Sequence, residues 1–75
     1  MNERITYQDE YEVLSVLNRA ERGLTFDEIA LNTNLASWKI FAVLEALSYK
    51  GHINRTAMRY FLQIPQADIK DPKEQ

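Results

Sequence analysis

Residues 24–53 read LTFDEIALNTNLASWKIFAVLEALSYKGHI and carry the main evidence for the predicted fold. Thr25, with Glu28 three residues later, predicts the start of a short helix, because each side chain can bind the other residue's backbone amide. Residues 32–34 (Asn-Thr-Asn) are typical of a turn, since Asn tolerates positive φ. A longer helix is expected over residues 36–50, before a glycine. This stretch therefore predicts two helices joined by a tight turn.

The longer helix is apolar around most of its circumference. Its core face is expected to carry Ile40, Val43, Leu44 and Leu47. The opposite side carries Trp38, Ala42 and Tyr49, flanked by Phe41 and Glu45. A helix that is apolar nearly all round is usually buried. We therefore expect a partner to cover the outer side, either a second copy or another protein. The alternative is a shifted helix phase in which Trp38 or Phe41 closes the core.

The flanking segments predict one more helix and a β-hairpin. Thr6 and Asp9 form a capping pattern, so the first helix should start after Thr6 and end at Arg22-Gly23. Its acidic residues Asp9, Glu10 and Glu12 are expected to form a solvated first turn. Two extended runs, 52–56 and 59–64, flank Ala57-Met58, although Ala-Met is poor material for a tight turn. The predicted fold class is mainly α with a small β-hairpin, α+β, built on three helices.

Length and composition predict one domain over residues 1–65, followed by a polar, disordered tail over 66–75. Residues 1–35 carry seven acidic and three basic side chains, whereas 36–60 carry four basic and one acidic. The chain has no cysteine, no apolar run of bilayer length and no leader-like N-terminus. We therefore expect a cytoplasmic protein without a membrane partner.

A pattern of core-packing residues accompanies the predicted helices and hairpin over roughly residues 6–64. It consists of Ile29, Ala30, Leu35, Ile40, Leu44, Leu47, Gly51 and Ile53. With the order helix, short helix, turn, longer helix and hairpin, it resembles the winged helix-turn-helix superfamily, especially small bacterial and phage MarR- or PadR-like domains.

The resemblance implies a small transcriptional regulator that binds duplex DNA as a dimer, with the third helix in the major groove and the wing at phosphates. The implied base-edge positions are Ser37, Trp38, Lys39, Phe41 and Ala42. The implied phosphate positions are Asn34, Arg55 and Arg59.

Protein binding is the alternative function. The third helix presents rings and aliphatic carbons where a reading helix normally presents polar side chains. The same scaffold could therefore be a protein-interaction module that uses Trp38, Phe41, Ala42 and Tyr49. Tyr7 and Tyr11, one turn apart on the first helix, form a second candidate interface, or they are simply part-buried.

The sequence offers no chemistry for an enzyme. His52 is its single histidine and lacks a second histidine or a cysteine to share a metal. Its two glycines form no phosphate-binding loop. We expect neither a catalytic residue nor a cofactor, metal or small-molecule substrate.

Overall fold

A computed structural model describes residues 4–63, which form three helices and a three-stranded antiparallel sheet. The elements are α1 (Tyr7–Asn18), β1 (Leu24–Thr25), α2 (Phe26–Asn32), α3 (Ser37–Tyr49), β2 (Ile53–Thr56) and β3 (Arg59–Leu62). The predicted α+β class is thus confirmed. The tail predicted over 66–75, and the end of the second run at 64, lie outside the described residues.

Both predicted capping boxes are present. The Thr6 hydroxyl accepts a hydrogen bond from the Asp9 backbone amide at 3.2 Å, and the Asp9 carboxylate accepts one from the Thr6 amide at 2.9 Å. Thr25 and Glu28 repeat this exchange at the start of α2, also at 3.2 and 2.9 Å. A cap of this kind stabilises a helix by about 1 kcal/mol. The helix starts are therefore set by local sequence.

The end of α1 corrects the prediction. The helix stops at Asn18, not at Arg22-Gly23. The chain then turns, and Gly23 adopts a φ of +75° while its amide donates to the Ala20 carbonyl. This early exit allows Leu24 to pair with Tyr60 in the sheet. Tertiary pairing here overrides the good helix propensity of residues 19–22.

The sheet has the order β1-β3-β2. The hairpin of β2 and β3 pairs Ile53 with Leu62 and Thr56 with Arg59, so Ala57-Met58 forms a two-residue loop. Ala57 has a φ of +58°. Positive φ at the first central position is the pattern of a type II′ turn, which favours glycine. The hairpin therefore forms in spite of its turn residues.

One hydrophobic core joins the three helices and β2. All four residues predicted for the inner face of α3 are buried, which confirms the phase of that helix. The buried cluster comprises Val13, Leu14, Leu17, Ile29, Ile40, Val43, Leu44, Leu47 and Ile53.

Candidate interaction surface

The outer face of α3, defined as Trp38, Phe41, Ala42, Glu45 and Tyr49, is open to solvent. Trp38 is 47% exposed, Phe41 58% and Tyr49 94%, while Ala42 is half-buried. The alternative in which Trp38 or Phe41 closes the core is therefore wrong. The structure brings together on one face the four residues predicted for protein binding.

A groove runs beside this face, between α3 and the hairpin. We call it the α3–hairpin groove. It is lined by Phe41, Ala42, Leu44, Glu45, Ala46, Ser48, Tyr49, Arg55 and Tyr60. Tyr60, on β3, was missed as a site residue. The sequence placed it in a strand but could not show which helix that strand would face.

The groove holds one carboxylate and one guanidinium. The Arg55 guanidinium carbon lies 5.9 Å from the centroid of the Tyr60 ring, within cation–π range. The Arg55 Nε also donates to the Ala57 carbonyl at 3.4 Å. Within residues 4–63, neither Glu45 nor Arg55 forms an ion pair. Both charges remain exposed to solvent.

The other basic side chains of the 36–60 segment are paired with carboxylates of the first two helices. The Lys39 Nζ lies 3.3 Å from Asp9, and the Lys50 Nζ lies 3.0 Å from Glu10. The first pair joins α1 to α3, and the second joins α1 to the residue that follows α3. The positive charge of residues 36–60 is therefore largely neutralised by nearby carboxylates in the folded chain.

The first turn of α1 is not the solvated turn that the sequence predicts. Asp9 is only 7% exposed, because α1 packs against α3 and brings the carboxylate to Lys39. Glu10 and Glu12 are part-buried. Glu12 accepts a hydrogen bond from the Asn34 backbone amide at 2.7 Å. These acids position the start and end of α3.

Arg59 points away from the groove, towards α2. Its Nη1 donates to the Gly23 carbonyl at 3.2 Å and lies 3.4 Å from the Glu28 carboxylate. Arg55 and Arg59, predicted together as phosphate contacts, therefore have different surroundings. The hydrogen bond of Glu28 to the Thr25 backbone lowers the pKa of its carboxyl, and the charge of Arg59 acts in the same direction.

The remaining predicted site residues are dispersed. Asn34 and Ser37 are exposed at the turn and at the first residue of α3. Tyr7 is 75% exposed on α1, whereas Tyr11, one turn later, is half-buried.

Residues 4–63 contain no grouping of metal ligands and no membrane-spanning helix. His52 is part-buried, and its buried Nδ1 has no hydrogen-bond partner among the residues that the structure describes. Within residues 4–63, no three histidine, cysteine or acidic side chains are grouped as a metal site requires. None of the helices in that range has the length and apolar character needed to cross a bilayer.

No protein-family model matches the chain, and comparisons with curated proteins and with solved structures find no match either.

Proposed function

We propose that this chain is a winged-helix domain that binds another protein through the outer face of α3 and the α3–hairpin groove. The observation that carries the proposal is a set of three large exposed rings on α3, next to lysines that the chain's own carboxylates already bind.

The winged-helix assignment is supported by the order of elements. α2 and α3 are joined by residues 33–36, and α3 is followed directly by a hairpin. A short β1 pairs with β3 and completes the sheet. In this arrangement α3 is the second helix of the helix-turn-helix, and β2 and β3 are the wing. The outer face of α3 is then the surface that the scaffold offers to a ligand.

The exposed rings make a substantial apolar patch. A whole aromatic side chain offers about 150–250 Å², so the exposed parts of Trp38, Phe41 and Tyr49 come to about 300–500 Å². Exposed apolar area of that size on one face of a monomer often marks an interaction site. Aromatic residues are also enriched in protein–protein interfaces, where they supply much of the binding energy.

DNA binding by the same helix and wing is the second candidate. It is favoured by the exposure of Ser37 and Trp38 at the start of α3 and by Arg55 on the hairpin. The ion pairs of Lys39 and Lys50 weigh against it, because DNA affinity depends strongly on cations that can reach phosphates. The rings at base-edge positions also supply few hydrogen-bonding groups. Protein binding therefore has the stronger physical support.

Site-specific photo-crosslinking distinguishes the two candidates. A photoreactive phenylalanine analogue replaces Tyr49 in cells that express the chain. The matched control carries it at Leu31, an apolar residue of α2 that is 84% exposed. We expect adducts at position 49 that are destroyed by protease and resist nuclease, with few at position 31. Nuclease-sensitive adducts at position 49 would instead favour DNA.

A polarisation titration with random duplex DNA at low and high salt provides the independent measurement. We expect weak binding, with a Kd no tighter than the roughly 10⁻⁴–10⁻⁶ M typical of non-specific contact. Tighter binding that falls steeply with salt, and falls again in the Arg55→Ala, Arg59→Ala double variant, would contradict the proposal.

A further inference from the structure

We infer that the occupant of the outer face of α3 is a second copy of this chain, held by reciprocal pairing of Glu45 with Arg55 of the other copy. This inference rests on the proposed function and names the partner of that surface.

The first support is the spacing of residues along α3. Trp38, Ala42, Glu45 and Tyr49 follow one another at intervals of four, three and four residues. That spacing places them in a narrow line, as in the seam of two packed helices. The line lies opposite the buried residues and covers almost the whole helix, about 20 Å at 1.5 Å per residue. A second helix of equal length therefore fits along it.

The second support is charge complementarity. A symmetric dimer uses the same patch on both copies, so that patch must complement itself. The α3–hairpin groove carries one negative group, Glu45, and one positive group, Arg55, with no ion pair to either within the described part of the chain. If the two-fold axis sets each Glu45 against the partner's Arg55, two equivalent ion pairs form and both groups of each copy are paired. A strongly acidic partner would repel Glu45, and a strongly basic partner would repel Arg55.

The third support is area. Two copies of the exposed rings bury about 600–1,000 Å² in total before their neighbours are counted. Ala42 and the groove walls add to this area and bring it towards the low end of the range for specific complexes, about 1,200 Å². Interfaces at the low end of that range are typical of weak or transient complexes, so we expect a dimer that dissociates reversibly on dilution.

Sedimentation velocity over a concentration series tests the inference. The wild-type chain should pass from its monomer mass of 8.8 kDa to twice that mass as concentration rises. Glu45→Arg and Arg55→Glu should each raise the dimer Kd by about 10-fold or more, because each sets like charges against one another. The matched control is Glu21→Arg, a charge reversal at an exposed residue outside this face, which should leave the Kd unchanged.

Mixing the two single variants gives the decisive measurement. One variant carries two arginines at positions 45 and 55 and the other carries two glutamates, so the mixture should form a heterodimer with a Kd near that of the wild type. Circular dichroism confirms that each variant is folded. An effect confined within one chain would not be rescued by mixing.

Three results would overturn the inference: a wild-type chain that stays monomeric at several hundred micromolar, single variants that dimerise like wild type, or a mixture that stays monomeric. None of these touches the proposed function, because protein adducts at position 49 in a monomeric chain would identify a different protein as the occupant.

Discussion

Alanine substitution of the two glycines separates backbone strain from steric exclusion. Gly23 and Gly51 have nearly the same left-handed backbone, with φ of +75° and +78°. Their surroundings differ. A Cβ on Gly23 would lie 2.7 Å from the Tyr60 carbonyl oxygen and 2.8 Å from Cε1 of Phe61, whereas a Cβ on Gly51 meets no atom of residues 4–63 within 4 Å. The pair therefore forms a matched experiment.

The expected loss of stability follows from these two contributions. The left-handed conformation costs an alanine roughly 1–2 kcal/mol at either position. At Gly23 the new methyl also meets a backbone carbonyl of β3, which cannot rotate away, and such overpacking adds about 1–3 kcal/mol. Alanine also restricts the unfolded chain, which returns about 0.4–1 kcal/mol. We therefore expect Gly51→Ala to lower the free energy of unfolding by about 0.5–1 kcal/mol and Gly23→Ala by about 1.5–4 kcal/mol.

Urea and thermal unfolding followed by circular dichroism measure the difference. In a domain of this size each kcal/mol shifts the Tm by roughly 4–8 °C. Equal losses in the two variants would contradict this prediction, because they would show that β3 does not approach Gly23 closely. A change in the urea m-value would indicate an altered denatured state and would require the comparison to be repeated by heat.

Three further substitutions test local features. Ala57→Gly should stabilise the chain by about 0.5–1 kcal/mol, since glycine relieves the left-handed strain of the hairpin loop but loosens the unfolded chain; a lower Tm would contradict this turn geometry. Asp9→Ala should destabilise by about 1.5–3 kcal/mol, because it removes a buried charged acceptor; urea unfolding with an unchanged midpoint would contradict its pairing with Lys39. Glu28 has a lowered pKa in the folded chain, so its contribution is present above the ordinary value of 4.5 and is lost as the pH falls through the lowered pKa. Glu28→Gln should therefore be less stable than wild type at pH 7 and converge with it once the pH falls below the lowered pKa; a gap that persists in strong acid would refute this linkage.

Local signals in the sequence were sufficient to predict where α1 and α2 begin and which side of α3 is buried. Thr6 and Thr25 act as caps because their partners lie three residues away, and such contacts depend only on adjacent sequence. The aliphatic residues of α3 recur at helical spacing, so its buried and exposed sides could be assigned from the same pattern.

Features that depend on contacts between distant residues were missed. Residues 19–22 favour helix, yet α1 ends before them, and the chain turns at Gly23 so that Leu24 pairs with Tyr60. The burial of Asp9 depends on Lys39, thirty residues later, reaching it from α3. The α3–hairpin groove likewise requires the hairpin to fold back along α3. A single sequence does not show which distant residues come into contact.

The ion pairs between the acidic first half of the chain and its basic second half have a kinetic consequence. Because Lys39, Lys50 and Arg59 each face a carboxylate within 3.4 Å, their fields largely cancel a short distance from the surface. Long-range electrostatic steering accelerates encounter only where such a field survives. The domain should therefore meet its ligands at rates set by ordinary diffusion and nearly independent of ionic strength, and its selectivity should reside in how slowly a fitted complex comes apart.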